Sequence, residues 1–174
     1  MTNPFYLFLA LFFAIPVLQA QETSLKDKIL GEKKMPDIVL DNIQGKKVHV
    51  NQLHQSGKYT VISFWATWCV PCKKELNNIA DLYEEWQKKY NMQLVAISID
   101  DSRSAPRVKP YVDGQRWEYE VVLDVNSDVK RSLNIQNVPF TLVLDKEGKI
   151  IYDHSGYQEG DEHSLEDFLA KLPN

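Results

Sequence analysis

The hydrophobic pattern of the chain alternates between continuous apolar runs and runs of helical periodicity, which predicts strands interleaved with amphipathic helices. Residues 59–65 are β-branched or aromatic and apolar on both faces, which is typical of a central strand covered on both sides. Residues 93–99 form a second apolar run, which we expect to lie parallel to the first strand after a right-handed crossover. A helical pattern that ends near Asn91 connects the two strands; its apolar positions are Leu76, Ile79, Ala80, Tyr83, Trp86 and Tyr90.

The second half of the chain consists of shorter elements. A helix is expected near residues 108–112, although Pro110 leaves its start open. The remaining pattern predicts a strand at 119–123, a helix at 127–133 capped by Asn126 or Ser127, hairpin strands at 140–144 and 149–153, and a closing helix at 164–172.

A β-hairpin extension is expected ahead of the central strand. An extended segment begins at Met35, and a turn at 42–46 joins it to a short strand at 47–50. Asn51 is expected to cap a brief helix that ends near Gly57. The whole order of elements predicts an α/β fold, with a mixed central sheet flanked by helices on both faces.

The first twenty residues differ from the rest, because residues 5–18 are almost continuously apolar. This length fits the core of a signal peptide and is short for a membrane span. Leu18 is large for a position near a cleavage site and no Lys or Arg precedes the run, so an uncleaved anchor stays the alternative. We therefore expect a leader at 1–20, a linker at 21–34 and one domain at 35–174, in the periplasm or another extracytoplasmic compartment.

Composition and charge narrow the function only slightly. Hydrophobic residues make up 44% and charged residues 25% of the 174 positions, enough for one domain with a real core. The net charge of −4 and the dispersed basic residues argue against a nucleic-acid partner, and we expect a monomer. The four histidines have no metal-ligand spacing and are expected at the surface: His49, His54, His154 and His163.

Both cysteines of the chain, Cys69 and Cys72, lie two residues apart where the central strand gives way to the helix. A structural disulfide is the alternative in an exported protein, but so short a ring constrains little of the unfolded chain. The spacing therefore favours dithiol–disulfide exchange. A metal site would need more ligands than this motif contains, so no metal is expected.

The position of the pair at a helix start suggests how it reacts. A thiolate at Cys69 is stabilised by unpaired amide groups and the helix dipole, while Pro71 fits the first turn without losing a hydrogen bond. Cys72, three residues on and more buried, is expected to resolve the mixed disulfide. Glu75 lies on the same side of the helix and is expected either to accept the Cys72 proton or to be a solvated carboxylate. Trp65 and Trp68 flank the pair: we expect one in the core and the other shielding the thiols, and core packing of both is the plainer alternative.

Three motifs together resemble the thioredoxin-fold, TlpA/ResA-like thiol–disulfide oxidoreductases of bacteria. These are the run FWATWCVPCKKE at 64–75, the run VPFTLVLD at 138–145 and the Gly148-Lys149-Ile150 hairpin. The similarity covers roughly residues 35–172. Asn77 departs from it, since many members of the family have a helix-kinking proline there, and the match is weak at 100–117, where the family inserts a helix and a strand segment.

The resemblance implies several features that spacing alone does not. Pro139 is expected to be cis, with the backbone of Val138 beside Cys69 and the substrate. Ser63 occupies the position of a buried aspartate in cytosolic thioredoxins, so Glu75 is expected to take over its role as base. The substrate-binding surface would then comprise Trp68, Val70, Pro71, Val138 and Pro139.

The expected activity is reduction of protein disulfides, in cytochrome c maturation or in general disulfide reduction. Electrons would come from a membrane thiol donor, and no cofactor beyond the Cys69–Cys72 pair is expected. The alternatives are a disulfide-forming oxidase or isomerase, a thiol peroxidase, and a copper-binding or redox-sensing protein without enzymatic activity. The Val70-Pro71 dipeptide between the cysteines is expected to tune the redox potential, although the dipeptide alone does not give its value.

Overall fold

The computed structural model describes residues 33–54 and 57–173. The predicted leader at 1–20 and most of the predicted linker lie outside these residues, as does the alternative membrane anchor at 5–18. Within the described ranges, no helix combines the length and the apolar character that crossing a membrane requires.

A seven-stranded mixed sheet forms the centre of the molecule. Its strands are β1 Val39–Asn42, β2 Lys47–His49, β3 Tyr59–Trp65, β4 Met92–Ser98, β5 Glu120–Leu123, β6 Phe140–Leu144 and β7 Ile150–Ser155. They are arranged in the order β2-β1-β5-β4-β3-β6-β7, with β3, β4 and β5 parallel and the remaining pairs antiparallel. The predicted mixed sheet and N-terminal hairpin are therefore confirmed.

In the described part of the chain, four α-helices cover the sheet: α1 Val70–Tyr90, α2 Val108–Gln115, α3 Asp128–Ser132 and α4 Asp161–Leu169. All seven residues of β3 are buried, as the apolar run predicted. Its alternate side chains serve two separate cores. Val61 and Trp65 pack with the buried faces of α1, α2 and α4, while Ile62 and Phe64 pack on the opposite side with Val129 of α3. Helices thus cover both faces of the sheet.

The two predicted caps have different outcomes. Asn51 does not cap the first short helix, because this helix is a 3-10 turn over Val50–Gln52 with His49 at its N-cap position, and it ends well before Gly57. Ser127 occupies the N-cap position of α3, as one of the two predicted alternatives, but its side chain makes no capping hydrogen bond. The carboxylate of Asp124, at the end of β5, instead accepts the N–H groups of Asp128, Val129 and Lys130.

Other boundaries shift by a few residues for identifiable reasons. Helix α4 begins at Asp161 and not at Ser164, since Gly160 takes a left-handed conformation and two acidic residues favour the first turn. Pro110 lies inside the first turn of α2, where its missing N–H costs nothing. The stretch 100–117 contains a 3-10 turn at Ala105–Arg107 and α2, but no strand.

Candidate active site

The two cysteines occupy the start of α1, as predicted. Cys69 is the N-cap residue, with an extended backbone, and its Sγ accepts the N–H of Cys72 at 3.3 Å. The pair is oxidised, with the Cα atoms 5.3 Å apart. Pro71 falls within the first turn of the helix. Cys72 is fully buried, whereas Cys69 retains a small exposed fraction, so an attacking sulfur can approach the pair only from the Cys69 side.

An exposed apolar rim surrounds this approach. The side chain of Trp68 is 60% exposed and that of Val70 is 71% exposed, which is unusual for large hydrophobic residues. Trp65 lies in the core instead, with its ring 4.9 Å from that of Trp117 and 5.7 Å from that of Tyr111. The two tryptophans therefore divide as expected, one supporting the site and one at its surface.

The peptide bond between Val138 and Pro139 is cis, which confirms the expectation drawn from the resemblance. Strand β6 begins at the next residue, Phe140, which pairs with Phe64 near the end of β3. The cis bond therefore lies at the edge of the sheet from which the loop to Cys69 departs. The half-buried side chain of Val138 packs against both cores.

Glu75 lies in α1 with its side chain turned to the sheet and only 5% exposed. One carboxylate oxygen accepts the Thr141 hydroxyl at 2.8 Å and the other accepts the Ser63 hydroxyl at 3.4 Å. Burial raises the pKa of Glu75 to about 7, although the two hydrogen bonds act in the opposite direction. Glu75 is therefore a buried carboxyl group that changes its protonation state near neutral pH, not the solvated carboxylate of the alternative reading.

One residue that shapes the site was missed in the sequence: Asp100, fully buried just beyond β4. Its carboxylate accepts the Thr67 N–H at 2.8 Å and the Thr67 hydroxyl at 2.6 Å, and the Ser98 hydroxyl at 2.8 Å. Thr67 belongs to the loop that leads from β3 to Cys69. The sequence contained a signal for this residue, namely an acidic residue directly after a buried strand predicted to be parallel to β3. The carboxyl ends of parallel strands meet at one edge of the sheet, and the loop that leads to Cys69 begins at this edge.

Asn77 connects the site to the inserted helix α2. Its side chain accepts the indole N–H of Trp117 at 2.9 Å and donates to the Tyr111 hydroxyl at 3.4 Å. Lys73 lies over the Tyr111 ring, with 5.5 Å from Nζ to the ring centroid. At the position where the resemblance led us to expect a helix-kinking proline, this chain therefore has an asparagine whose side chain links α1 to α2.

The histidines are dispersed. His49 and His163 are exposed, whereas His54 and His154 are half-buried. His154 Nε2 lies 3.5 Å from Asp161 Oδ2. Within the ranges 33–54 and 57–173, no group of three or more His, Cys, Asp or Glu side chains is arranged to hold a metal ion.

Comparison with known proteins agrees with this geometry. Residues 32–153 match the model of the AhpC/TSA family. The thiol-disulfide oxidoreductase ResA of Bacillus subtilis is 30% identical over 126 residues, which cover 72% of this chain and 68% of that protein. The ResA protein of Bacillus cereus strain ATCC 10987 is 28% identical over 149 residues, covering 86% of this chain and 82% of that protein.

A solved structure supports the same assignment. An uncharacterized thioredoxin-like protein from Porphyromonas gingivalis superimposes with a TM-score of 0.72 at 45% identity, over 79% of this chain and 90% of that one. In this chain the Cys69–Cys72 pair stands at the start of the helix that follows the central strand. The chain therefore belongs to the AhpC/TSA family and is a thioredoxin-fold thiol–disulfide oxidoreductase similar to ResA.

Proposed function

We propose that this oxidoreductase reduces disulfide bonds in other proteins outside the cytoplasm. In the reduced enzyme the Cys69 thiolate attacks a substrate disulfide; a Cys69–substrate bond forms and one substrate sulfur leaves as a thiolate. Cys72 then attacks Cys69 Sγ, restores the internal disulfide and releases the second substrate sulfur. Two electrons pass from the dithiol to the substrate, and the substrate thiolates take up protons.

The observation that carries the proposal is the buried carboxyl group of Glu75, one helical turn beyond Cys72. Cys72 is fully buried, so its proton must be taken by a group inside the protein before its sulfur can attack. With a pKa of about 7, Glu75 is ionised often enough to accept that proton and acidic enough to release it afterwards.

The local charges support the reductive direction. Strongly oxidising pairs are oxidising because their reduced form is stabilised, mainly by groups that favour a thiolate. Here neither Val70 nor Pro71 is cationic, and the buried group behind the cysteines is an acid that disfavours a second negative charge. The dipeptide thus adds no stabilisation of the reduced form beyond that from the helix start, and the buried acid disfavours a thiolate at Cys72, which together favour a reductant.

The exposed rim supports a protein as the substrate. The proposed binding surface consists of Trp68, Val70 and Pro71, which are exposed next to Cys69 in the chain, together with the half-buried Val138 and the cis Pro139, which precede β6 at the same end of the sheet. Apolar side chains and an accessible backbone suit an extended segment of another protein around its disulfide. We propose that the enzyme acts in cytochrome c maturation or in general disulfide reduction, and that a membrane thiol donor supplies its electrons. We also propose that it is a monomer, which is exported by residues 1–20 or anchored through residues 5–18.

Trapping of mixed disulfides tests the function. In the Cys72→Ser variant the resolving step is blocked, so we expect substrates to accumulate as covalent adducts of Cys69 that a reducing agent releases. The matched control is Cys69→Ser, which should trap far less. Equal trapping by the two variants would contradict the assigned order of the cysteines.

The redox potential, measured by equilibration with glutathione, decides the direction. We expect a value closer to the roughly −270 mV of thioredoxin than to the about −120 mV of a strong oxidant. A potential near the oxidant end would assign the protein to disulfide formation. Peroxide turnover that survives Cys72→Ser would indicate a thiol peroxidase, and tight copper binding by the reduced protein would indicate a copper carrier.

A further inference from the structure

A row of three polar side chains crosses the sheet beside Glu75. Ser63 on β3 is paired with Thr141 on β6, and Thr141 is paired with His154 on β7. Directly paired residues project from the same face of a sheet, with Cβ atoms about 5 Å apart. Ser63 and Thr141 both donate to Glu75, so the side chain of His154 projects from the same face, next in line toward the solvent.

A small cavity joins the end of this row to the carboxyl group. It has a volume of about 10 Å³, and Glu75, Thr141, His154, Asp161 and Glu162 are among the residues that line it. This is about the space that one water molecule requires, and the lining offers several polar partners. His154 connects this cavity to the solvent, since it lines the cavity and 41% of its side chain is exposed; its Nε2 lies 3.5 Å from Asp161 Oδ2.

We propose that His154 relays protons between Glu75 and the solvent. The inference rests on the proposed role of Glu75 as the acceptor of the Cys72 proton. After Cys72 has passed its proton to the Glu75 carboxylate, the proton moves through the cavity to the His154 imidazole and then to bulk water. No electrons move in this step, and Glu75 returns to its ionised form before the next turnover.

Glu162 and the tyrosines near Glu75 are less suited to the relay. The carboxylate of Glu162 already accepts hydrogen bonds from Asn78 and from the Tyr157 hydroxyl. Burial raises the pKa of Glu162, but these hydrogen bonds outweigh burial and hold the pKa below its ordinary value. Burial raises the pKa of Tyr119 and of Tyr152 above its ordinary value, so these hydroxyl groups stay protonated at neutral pH and do not take up the proton. The groups facing Glu75 from the elements packed on it are Cys72 of α1, Tyr119 just before β5, Tyr152 and His154 of β7, and Asp161 and Glu162 of α4.

The experiment separates the two chemical steps with the small disulfide reagent DTNB. Reduced enzyme releases one thionitrobenzoate when Cys69 attacks and a second when Cys72 resolves the adduct. Because the pKa of Glu75 is about 7, part of the protein carries a protonated Glu75 when Cys72 is due to attack, and this part must first lose that proton. In His154→Gln the proton leaves without the relay, so we expect the second release to slow on the order of tenfold near neutral pH, part of the roughly 10²–10⁴-fold that acid–base assistance supplies. The first release should be unchanged, and imidazole in the buffer should restore the second.

Two controls make the result decisive. His163→Gln changes an exposed histidine of α4 that does not line the cavity, and it should behave like the wild type. Glu75→Gln should slow the second release whether or not His154 is present. If Glu75→Gln slows it and His154→Gln does not, the relay is wrong and the role of Glu75 stands. If neither variant slows it, the proposed proton acceptor is wrong as well. His154→Ala with imidazole rescue repeats the test should the glutamine variant fold poorly.

Discussion

The carboxylate of Asp100 holds both the backbone N–H and the hydroxyl of Thr67, at 2.8 and 2.6 Å. Because Thr67 lies two residues before Cys69, this pair of hydrogen bonds connects the end of β4 to the loop that carries the nucleophile. The buried carboxylate also receives the Ser98 hydroxyl, so its charge is met by three donors. The position of Cys69 thus depends on a residue from a neighbouring strand.

The first prediction concerns this contact. Asp100→Asn preserves the shape but turns one acceptor oxygen into a donor, which leaves at least one of the three donors unpaired in a buried site. We expect the free energy of unfolding to fall by about 2 kcal/mol, measured by urea denaturation of the oxidised protein. We also expect the first thionitrobenzoate release to slow, because Cys69 is no longer held in place.

The neighbouring Asp101 supplies the control for that experiment. Its exposed carboxylate accepts the N–H groups of Arg103 and Ser104 in a surface turn. Asp101→Asn should change stability by only about 0.5 kcal/mol and leave the DTNB kinetics unaltered. Equal effects at the two positions would show that Asp100 has no special connection to the site.

Glu75 should control the pH profile of the resolving step. Because its pKa is raised to about 7, the fraction of ionised carboxylate grows as the pH rises through that value. The rate of the second thionitrobenzoate release should therefore increase through neutral pH in the wild type. In Glu75→Gln we expect the rate to fall by about 10²-fold and the neutral inflection to disappear. An unchanged inflection in the variant would assign it to another group.

The same carboxyl group should make stability depend on pH. Its pKa is about 7 in the folded protein against an ordinary value of 4.5, so the folded state binds the proton more tightly. Stability is then greatest below about pH 4.5 for this group and is lost as the pH rises toward 7, by about 3 kcal/mol. Urea midpoints of the oxidised protein across this interval should fall more steeply for the wild type than for Glu75→Gln. Parallel curves would contradict the raised pKa.

The last prediction separates protein substrates from small ones. Trp68 is 60% exposed beside Cys69, where an aromatic anchor contributes to binding a partner but not to the chemistry of sulfur exchange. Trp68→Ala should raise KM for insulin reduction by roughly tenfold, with kcat and the DTNB rates little changed. Val39→Ala, at another exposed apolar residue on β1, is the control and should have no effect. A loss confined to kcat would place Trp68 in the chemical step instead.

Much of the site was predictable because its parts are local in the chain. The spacing of Cys69 and Cys72, the helix that begins between them and the side of the helix on which Glu75 lies all follow from the helical period. The cis state of Pro139 came only from the resemblance, since spacing alone favours the trans form.

Contacts between distant strands were not predictable in this way. Asp100 reaches Thr67, and Thr141 pairs with His154, only because the sheet has a particular strand order and register. Neither follows from a periodic pattern, which shows that a strand exists but not which residue lies opposite. The Asp124 cap was missed for a related reason: a carboxylate before the turn competes successfully with the serine at the formal cap position.

The first described residues, Lys33 and Lys34, contact the sheet at the end that lies farthest from the dithiol. Lys34 forms a bridge with Lys149, and the carbonyl of Lys33 accepts the Ile150 N–H. The cis proline precedes Phe140 at the other end of β6, where β3 leads into the loop to Cys69. Five residues of strand, roughly 16 Å, separate the two ends. If the chain were attached to a surface on that side, the reactive sulfur would therefore face away from the attachment point. Large protein substrates could then reach the sulfur without contacting the surface.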